Sequence, residues 1–124
     1  MSGDRRTVGD VTIAFTITPA RVEVGKAVRL AIRLTNHGGR PEELAFASGQ
    51  LYDFWVTQAD DEVWRWSDDM TFTQATQEKT IASQDTLTLS ESWTAAGTGE
   101  SIVHALLKAD GFDRELTGTV QVGG

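Results

Sequence analysis

Serine, histidine and aspartate are all present, so hydrolysis is the first chemistry to weigh. The two histidines, His37 and His104, have no Gly-x-Ser-x-Gly elbow or comparable nucleophile context beside them. His37 lies in the run Asn36-His37-Gly38-Gly39 and reads as a solvated turn residue. His104 lies among Ile102, Val103, Leu106 and Leu107, where a hydrogen-bonded structural histidine is a simpler reading than a general base. No catalytic residue is assigned, and the expectation is a protein that is not an enzyme. The acidic groups Asp60-Asp61-Glu62 and Asp68-Asp69 could offer oxygens to Ca²⁺, but they lack the alternating spacing and bidentate glutamate of a dedicated calcium loop. Turn chemistry accounts for them, because aspartate side chains bond nearby backbone amides. No metal and no cofactor is expected. Cysteine is absent, which excludes disulfides, thiolate metal sites and thiol redox chemistry.

A third candidate is aromatic. Trp55, Trp64, Arg65 and Trp66 could form a stacking platform for a sugar or a cation–π ladder. Strand phase separates them. In the run 51–58 Tyr52, Phe54 and Val56 share one face while Asp53, Trp55 and Thr57 share the other; in 62–66 Trp64 and Trp66 oppose Val63 and Arg65. Trp64 and Trp66 read as core, whereas Trp55 is left on a face that reads as solvated, where an exposed tryptophan is a typical interface anchor.

These residues must be positioned by the stretch 46–78, which holds seven of the ten aromatic residues of the 124-residue chain. Burying one such side chain removes ~150–250 Å² from water, so this stretch is expected to dominate the core. Its two runs flank the tetrad Gln58-Ala59-Asp60-Asp61, which predicts a hairpin. Clean two-residue alternation over 11–18 and 28–35 predicts further strands, with outward arginines on the second. Shorter runs at 22–24, 44–47, 86–93, 101–109 and 116–122 add more, and 71–77 reads as a loop or a single helical turn. In 86–93 Glu91 breaks the apolar phase, so it needs either a partner at the sheet margin or a bulge. Seven to nine short strands at roughly ten-residue spacing, with turn signals between them, predict an all-β, immunoglobulin-like antiparallel β-sandwich. The length suits one domain over 10–124, with 1–9 as a flexible N-terminal tail.

Charge narrows the partners. The net charge of −7, with no local cluster of Lys and Arg, argues against nucleic acid and anionic membrane surfaces. The start MSGDRRTVGD has no apolar run after its arginines, and the expected location is cytoplasmic.

The hairpin and its flanks also resemble a known family. Phe46, Ser48-Gly49-Gln50, Tyr52-Asp53-Phe54, Val63-Trp64-Arg65-Trp66-Ser67 and Phe72-Thr73-Gln74-Ala75 are similar to the intracellular proteinase inhibitor domains of BsuPI type. The likeness runs from about Val11 to Ala109 and departs at Asp69, where the family commonly has glycine, at Met70-Thr71, where it has Met directly before Phe, and at Ser101, where it has tyrosine. It implies an immunoglobulin-like sandwich and a non-enzymatic, protein-binding role: inhibition of an intracellular subtilisin-like serine protease. Such an inhibitor needs a convex loop held rigidly, so that binding costs little ordering entropy. The loop 67–74 presents Met70 beside two anchored tryptophans, and a subtilisin-like pocket accepts large apolar side chains. Met70, Asp68, Asp69 and Thr71 are therefore the expected partner contacts, with Trp55 as a further anchor. The alternative is a general adhesion, assembly or ligand-binding module that uses an edge strand or an exposed Trp55.

Overall fold

Alternating apolar residues need an opposing apolar layer, and the described residues supply one by folding eleven strands into two facing sheets and a small ribbon. The structure, a computed structural model, describes the backbone of residues 2–124 and the side chains from Asp4 onward. In chain order the strands are β1 (Ser2–Val8), β2 (Val11–Thr18), β3 (Arg21–Glu23), β4 (Ala27–Asn36), β5 (Glu42–Phe46), β6 (Tyr52–Gln58), β7 (Asp61–Arg65), β8 (Gln77–Ile81), β9 (Thr86–Thr94), β10 (Gly99–Leu107) and β11 (Glu115–Gly123). One sheet has the order β1-β2-β4-β9, the other β3-β11-β10-β6-β7, and β5 pairs with β8. Pairing is antiparallel except between β3 and β11. The result is the expected all-β sandwich.

The inward phases of β2 (Val11, Ile13, Phe15, Ile17) and β4 (Val28, Leu30, Ile32, Leu34) are fully buried against Phe54, Val56, Val103, Ala105 and Leu107 of the opposite sheet. Phe15 meets Phe54 at 6.0 Å between ring centroids, which joins the two sheets through aromatic contact where antibody domains use a disulfide.

Two expectations are corrected. Of the predicted flexible tail, Met1 lies outside the described residues, but Ser2–Val8 forms β1, which pairs with β2 from Ser2↔Ile17 to Val8↔Val11. Its sequence has little apolar content of its own; the free edge of β2 supplies the hydrogen bonds that order it. The strand count rises to eleven because β1 and β8 go unrecognised and 22–24 and 44–47 resolve into β3 and β5. In β8 only Ile81 is buried, so no alternation marks it.

The phase break at Glu91 resolves as a partner. Tyr52 donates its hydroxyl to the Glu91 carboxylate across the sandwich. Burial first, then the hydrogen bond to Glu91 and its charge, push the Tyr52 phenol well above its ordinary value. A phenol whose folded pKa exceeds its unfolded value contributes stability that is fully present below the unfolded pKa of about 10 and is lost as pH rises beyond it. Stability should therefore fall faster above pH ~10 in the wild type than in Tyr52→Phe, whose own cost near neutral pH is about 1–2 kcal/mol from the unpaired carboxylate. Tyr52 is the sole tyrosine, so an alkaline absorbance titration reads it alone; an unshifted phenolate transition would remove the basis of this expectation.

Candidate functional site

The β6–β7 hairpin closes through Ala59 and Asp60, both at positive φ (50° and 69°), the backbone of a two-residue turn whose twist matches the strands. A register shift then intervenes. Gln58 pairs with Asp61 and Thr57 with Glu62, but Val56 pairs with Trp64 and Trp55 with Arg65, so Val63 is bulged outward and exposed. The bulge turns Trp64 and Trp66 inward and Arg65 outward. Trp64 reaches Trp93 at 6.5 Å, and Trp66 stacks on Tyr52 at 4.8 Å and touches Phe72 at 5.6 Å. Both tryptophans and Phe72 are half-buried, as a structural role requires.

On the outer side the same register sets a buried carboxylate under the loop. Asp53, 4% exposed, accepts hydrogen bonds from the Phe54 amide (2.9 Å), the Ser67 amide (3.2 Å), the Ser67 hydroxyl (2.6 Å) and Arg65 Nη1 (2.9 Å). Arg65 also donates to Glu62 (2.6 and 3.0 Å). The bond to Glu62 is the largest influence and pushes the Arg65 guanidinium above its ordinary range; burial opposes it, and the bond to Asp53 adds to the rise. Ser67 is thus clamped at the point where the chain leaves β7.

The loop beyond it has two parts. Trp66–Asp69 form a single 3-10 turn closed by the Met70 amide bonding the Ser67 carbonyl at 3.1 Å. From Met70, with φ −109° and ψ 150°, the backbone is extended. Asp68, Asp69, Met70 and Thr71 are exposed, and Met70 is among the few large apolar side chains that are, at 45%. Asp68 and Asp69 lie in the turn, so the extended stretch starts at Met70. The far end is tied too: the Gly49 amide bonds the Thr73 carbonyl at 2.8 Å. A Cβ on Gly49 would stand 2.5 Å from Thr73 Cγ2 and 3.2 Å from its amide nitrogen, so only glycine admits this approach. Loop 67–74 is held at its root by Asp53, at its middle by Phe72 on Trp66, and at its end by Gly49.

Trp55 differs from expectation. It is half-buried and not a free platform: the His104 ring of β10 stacks on it at 5.1 Å with a 1° interplanar angle, and the Arg65 guanidinium of β7 lies 4.5 Å from its centroid. Alternation assigned its face correctly, but the flanking strands carry large side chains in the same cross-strand row. His104 is a satisfied structural residue, bonded through Nε2 to Thr57 Oγ1 at 3.0 Å and through Nδ1 to Glu115 at 3.4 Å. His37 is exposed in its loop. Ser101, at a position where the family commonly has tyrosine, is fully buried and accepts from Gln58 Nε2 at 2.8 Å.

Sequence reasoning missed Asp53 and Asn36. Asn36, buried at the end of β4, donates to the carbonyls of Arg40 (2.7 Å) and Ile81 (3.0 Å) and accepts from the Gly38 amide (2.9 Å), fixing the loop after β4. Among the described residues no three His, Asp or Glu side chains come together as a metal ion would need, and no helix is long and apolar enough to cross a membrane.

Comparison with known proteins gives the fold wide company and the sequence a single family. A sporulation control protein, Spo0M from Bacillus subtilis, is similar with a TM-score of 0.56 and 14% identity over 94% of this chain and 51% of that one. The CARDB domain of a Pyrococcus furiosus protein, solved with di-metal ions, is similar with a TM-score of 0.51 and 17% identity over 92% of this chain and 88% of that one. The alkylpurine DNA glycosylase AlkC of Pseudomonas fluorescens, bound to DNA containing an abasic-site analogue, contains a similar domain (TM-score 0.53, 13% identity, 93% of this chain), of which this chain spans only 31%. At these identities the likeness establishes the immunoglobulin-like sandwich and nothing of activity. No curated protein matches the sequence. A family model, described as "Intracellular proteinase inhibitor", matches residues 15–111, which include β4 and β10, the bulged hairpin and the clamped loop. The chain therefore belongs to the BsuPI family of intracellular proteinase inhibitors.

Proposed function

We propose that this protein is a non-enzymatic inhibitor of an intracellular subtilisin-like serine protease and that loop 67–74 is the segment it presents. The supporting observation is the clamped loop itself: Met70 projects from extended backbone whose root is fixed by Asp53 and whose end is fixed by Gly49. A segment already ordered in the free protein loses little entropy on binding, and a loop held at both ends re-forms its bond after cleavage more readily than it releases product. Met70 supplies the apolar side chain for the protease pocket, with Asp68, Asp69 and Thr71 on its rim. The alternative in which Trp55 stacks on a ligand would first have to displace Arg65 or His104 from the ring.

Replacing 68–71 with a Gly-Ser link is expected to abolish inhibition while thermal unfolding stays close to that of the parent, since none of these side chains is buried. Met70→Ala alone should weaken inhibition by roughly tenfold or more, the cost of emptying one apolar pocket. Steady-state inhibition with intact-mass analysis of the inhibitor reads both. Undiminished inhibition by the replaced loop would remove the loop assignment; no inhibition by the wild type would remove the protease.

A further inference from the structure

The opposite face of the molecule carries a second feature that owes nothing to the inhibitor reading. In strands β1, β2, β4 and β9 the only acidic residues, Asp4 and Glu91, lie on the inward phase: Asp4 pairs with buried Phe15, and Glu91 faces Tyr52. The outward phase carries Arg5, Arg29 and Arg33 and otherwise small or hydroxyl residues, so in a chain of net charge −7 this sheet face is purely cationic. It is also concave. One groove of about 460 Å³ is lined by residues that include Arg5, Ala14, Arg33, Thr35, His37 and Thr88, and a second of about 310 Å³ continues from Arg33 and Thr88 to Arg29.

The register explains the shape. Arg5, Ala14, Arg33 and Thr88 form one row across the sheet, so two guanidinium groups flank an alanine that leaves space between them. Their strands are two spacings apart, about 10 Å, while Arg29 lies four residues along β4 from Arg33, about 13 Å. Among the described residues neither the Arg5 nor the Arg33 guanidinium has a hydrogen-bond or ion-pair partner, whereas Arg29 bonds Ser90 Oγ at 3.3 Å.

We infer that this trough is a docking site for an extended acidic peptide segment of a partner protein. Side chains alternate along an extended chain, so carboxylates at every second position share one face and those four residues apart stand about 13 Å from each other, the spacing of Arg33 and Arg29. The guanidinium fork accepts a carboxylate bidentately. Three cations in one short trough match a few carboxylates, while the remaining acidic surface repels a long polyanion such as nucleic acid or an anionic bilayer.

The test is fluorescence anisotropy with a labelled octapeptide of alternating Glu and Ser. Wild-type protein should bind it, weaken with added salt, and bind the Gln analogue about tenfold less tightly. Arg5→Gln/Arg33→Gln should lose about tenfold, whereas Arg21→Gln/Arg114→Gln, the same charge change away from the face, should leave affinity within about twofold. Absence of binding, equal loss in both double variants, or tighter binding of a single-stranded oligonucleotide or of phosphatidylserine vesicles would overturn the assignment.

Discussion

Asp53→Ala is expected to lower folding stability by about 2–4 kcal/mol and, if loop 67–74 acts as proposed, to weaken the proposed inhibition beyond the loss of folded protein. The carboxylate is almost fully buried and takes four hydrogen bonds, one of them from Arg65 and two from Ser67. Bonds to a charged group contribute about 1.5–3 kcal/mol each, although those sharing one carboxylate do not add. The loss is bounded because Arg65 stays partly exposed and keeps Glu62. Asp53→Asn, similar in volume, should be nearly as costly, since its amide presents donors where Arg65 and the Ser67 hydroxyl also donate. Glu62→Ala removes an exposed partner and should cost about 1 kcal/mol or less. Denaturant unfolding followed by tryptophan fluorescence separates the three. An Asp53→Ala variant within about 1 kcal/mol of the parent would mean that the clamp does not hold the loop.

That clamp shows why the fold was legible in the sequence and the site only in part. Alternation in β2 and β4, the aromatic runs and the turn tetrad are local signals, and they located the strands that form the core. A hairpin register counted from the turn, however, places outward-phase Asp53 opposite Trp66, which reads as core, and so gives the carboxylate no partner. The bulge at Val63 moves the pairing by one residue and brings Ser67 to Asp53 and Arg65 to Trp55. Nothing in Glu62-Val63-Trp64 marks the bulge, so a carboxylate in an outward phase read as solvated and a tryptophan beside it read as exposed. β1 and β8 were hidden for a related reason: their order comes from hydrogen bonds to strands distant in sequence or otherwise unpaired at an edge, not from their own apolar pattern. The exposure of Met70 follows from its polar loop, yet the 3-10 turn that separates it from Asp68 and Asp69 depends on the Ser67 anchor.

Phe54→Ala should destabilise the fold by about 3–5 kcal/mol, more than any other single change argued above. Phe54 is fully buried at the centre of β6, with Phe15 at 6.0 Å on one side and Tyr52 at 5.4 Å on the other, so its removal leaves a cavity between the sheets that neither neighbour can fill without breaking its own contacts. Collapse is further limited because Tyr52 is tied to Glu91 across the sandwich. Trp55, its chain neighbour, provides the control. It carries the larger ring, but on the half-buried outer face, and Trp55→Ala should cost only about 1–2 kcal/mol for the lost stacking on His104 and the cation–π contact of Arg65. Equal costs at the two positions would place the organising contact on the outer ladder instead of between the sheets. A large difference in the expected direction ties the stability of this cysteine-free sandwich to aromatic contact across its core.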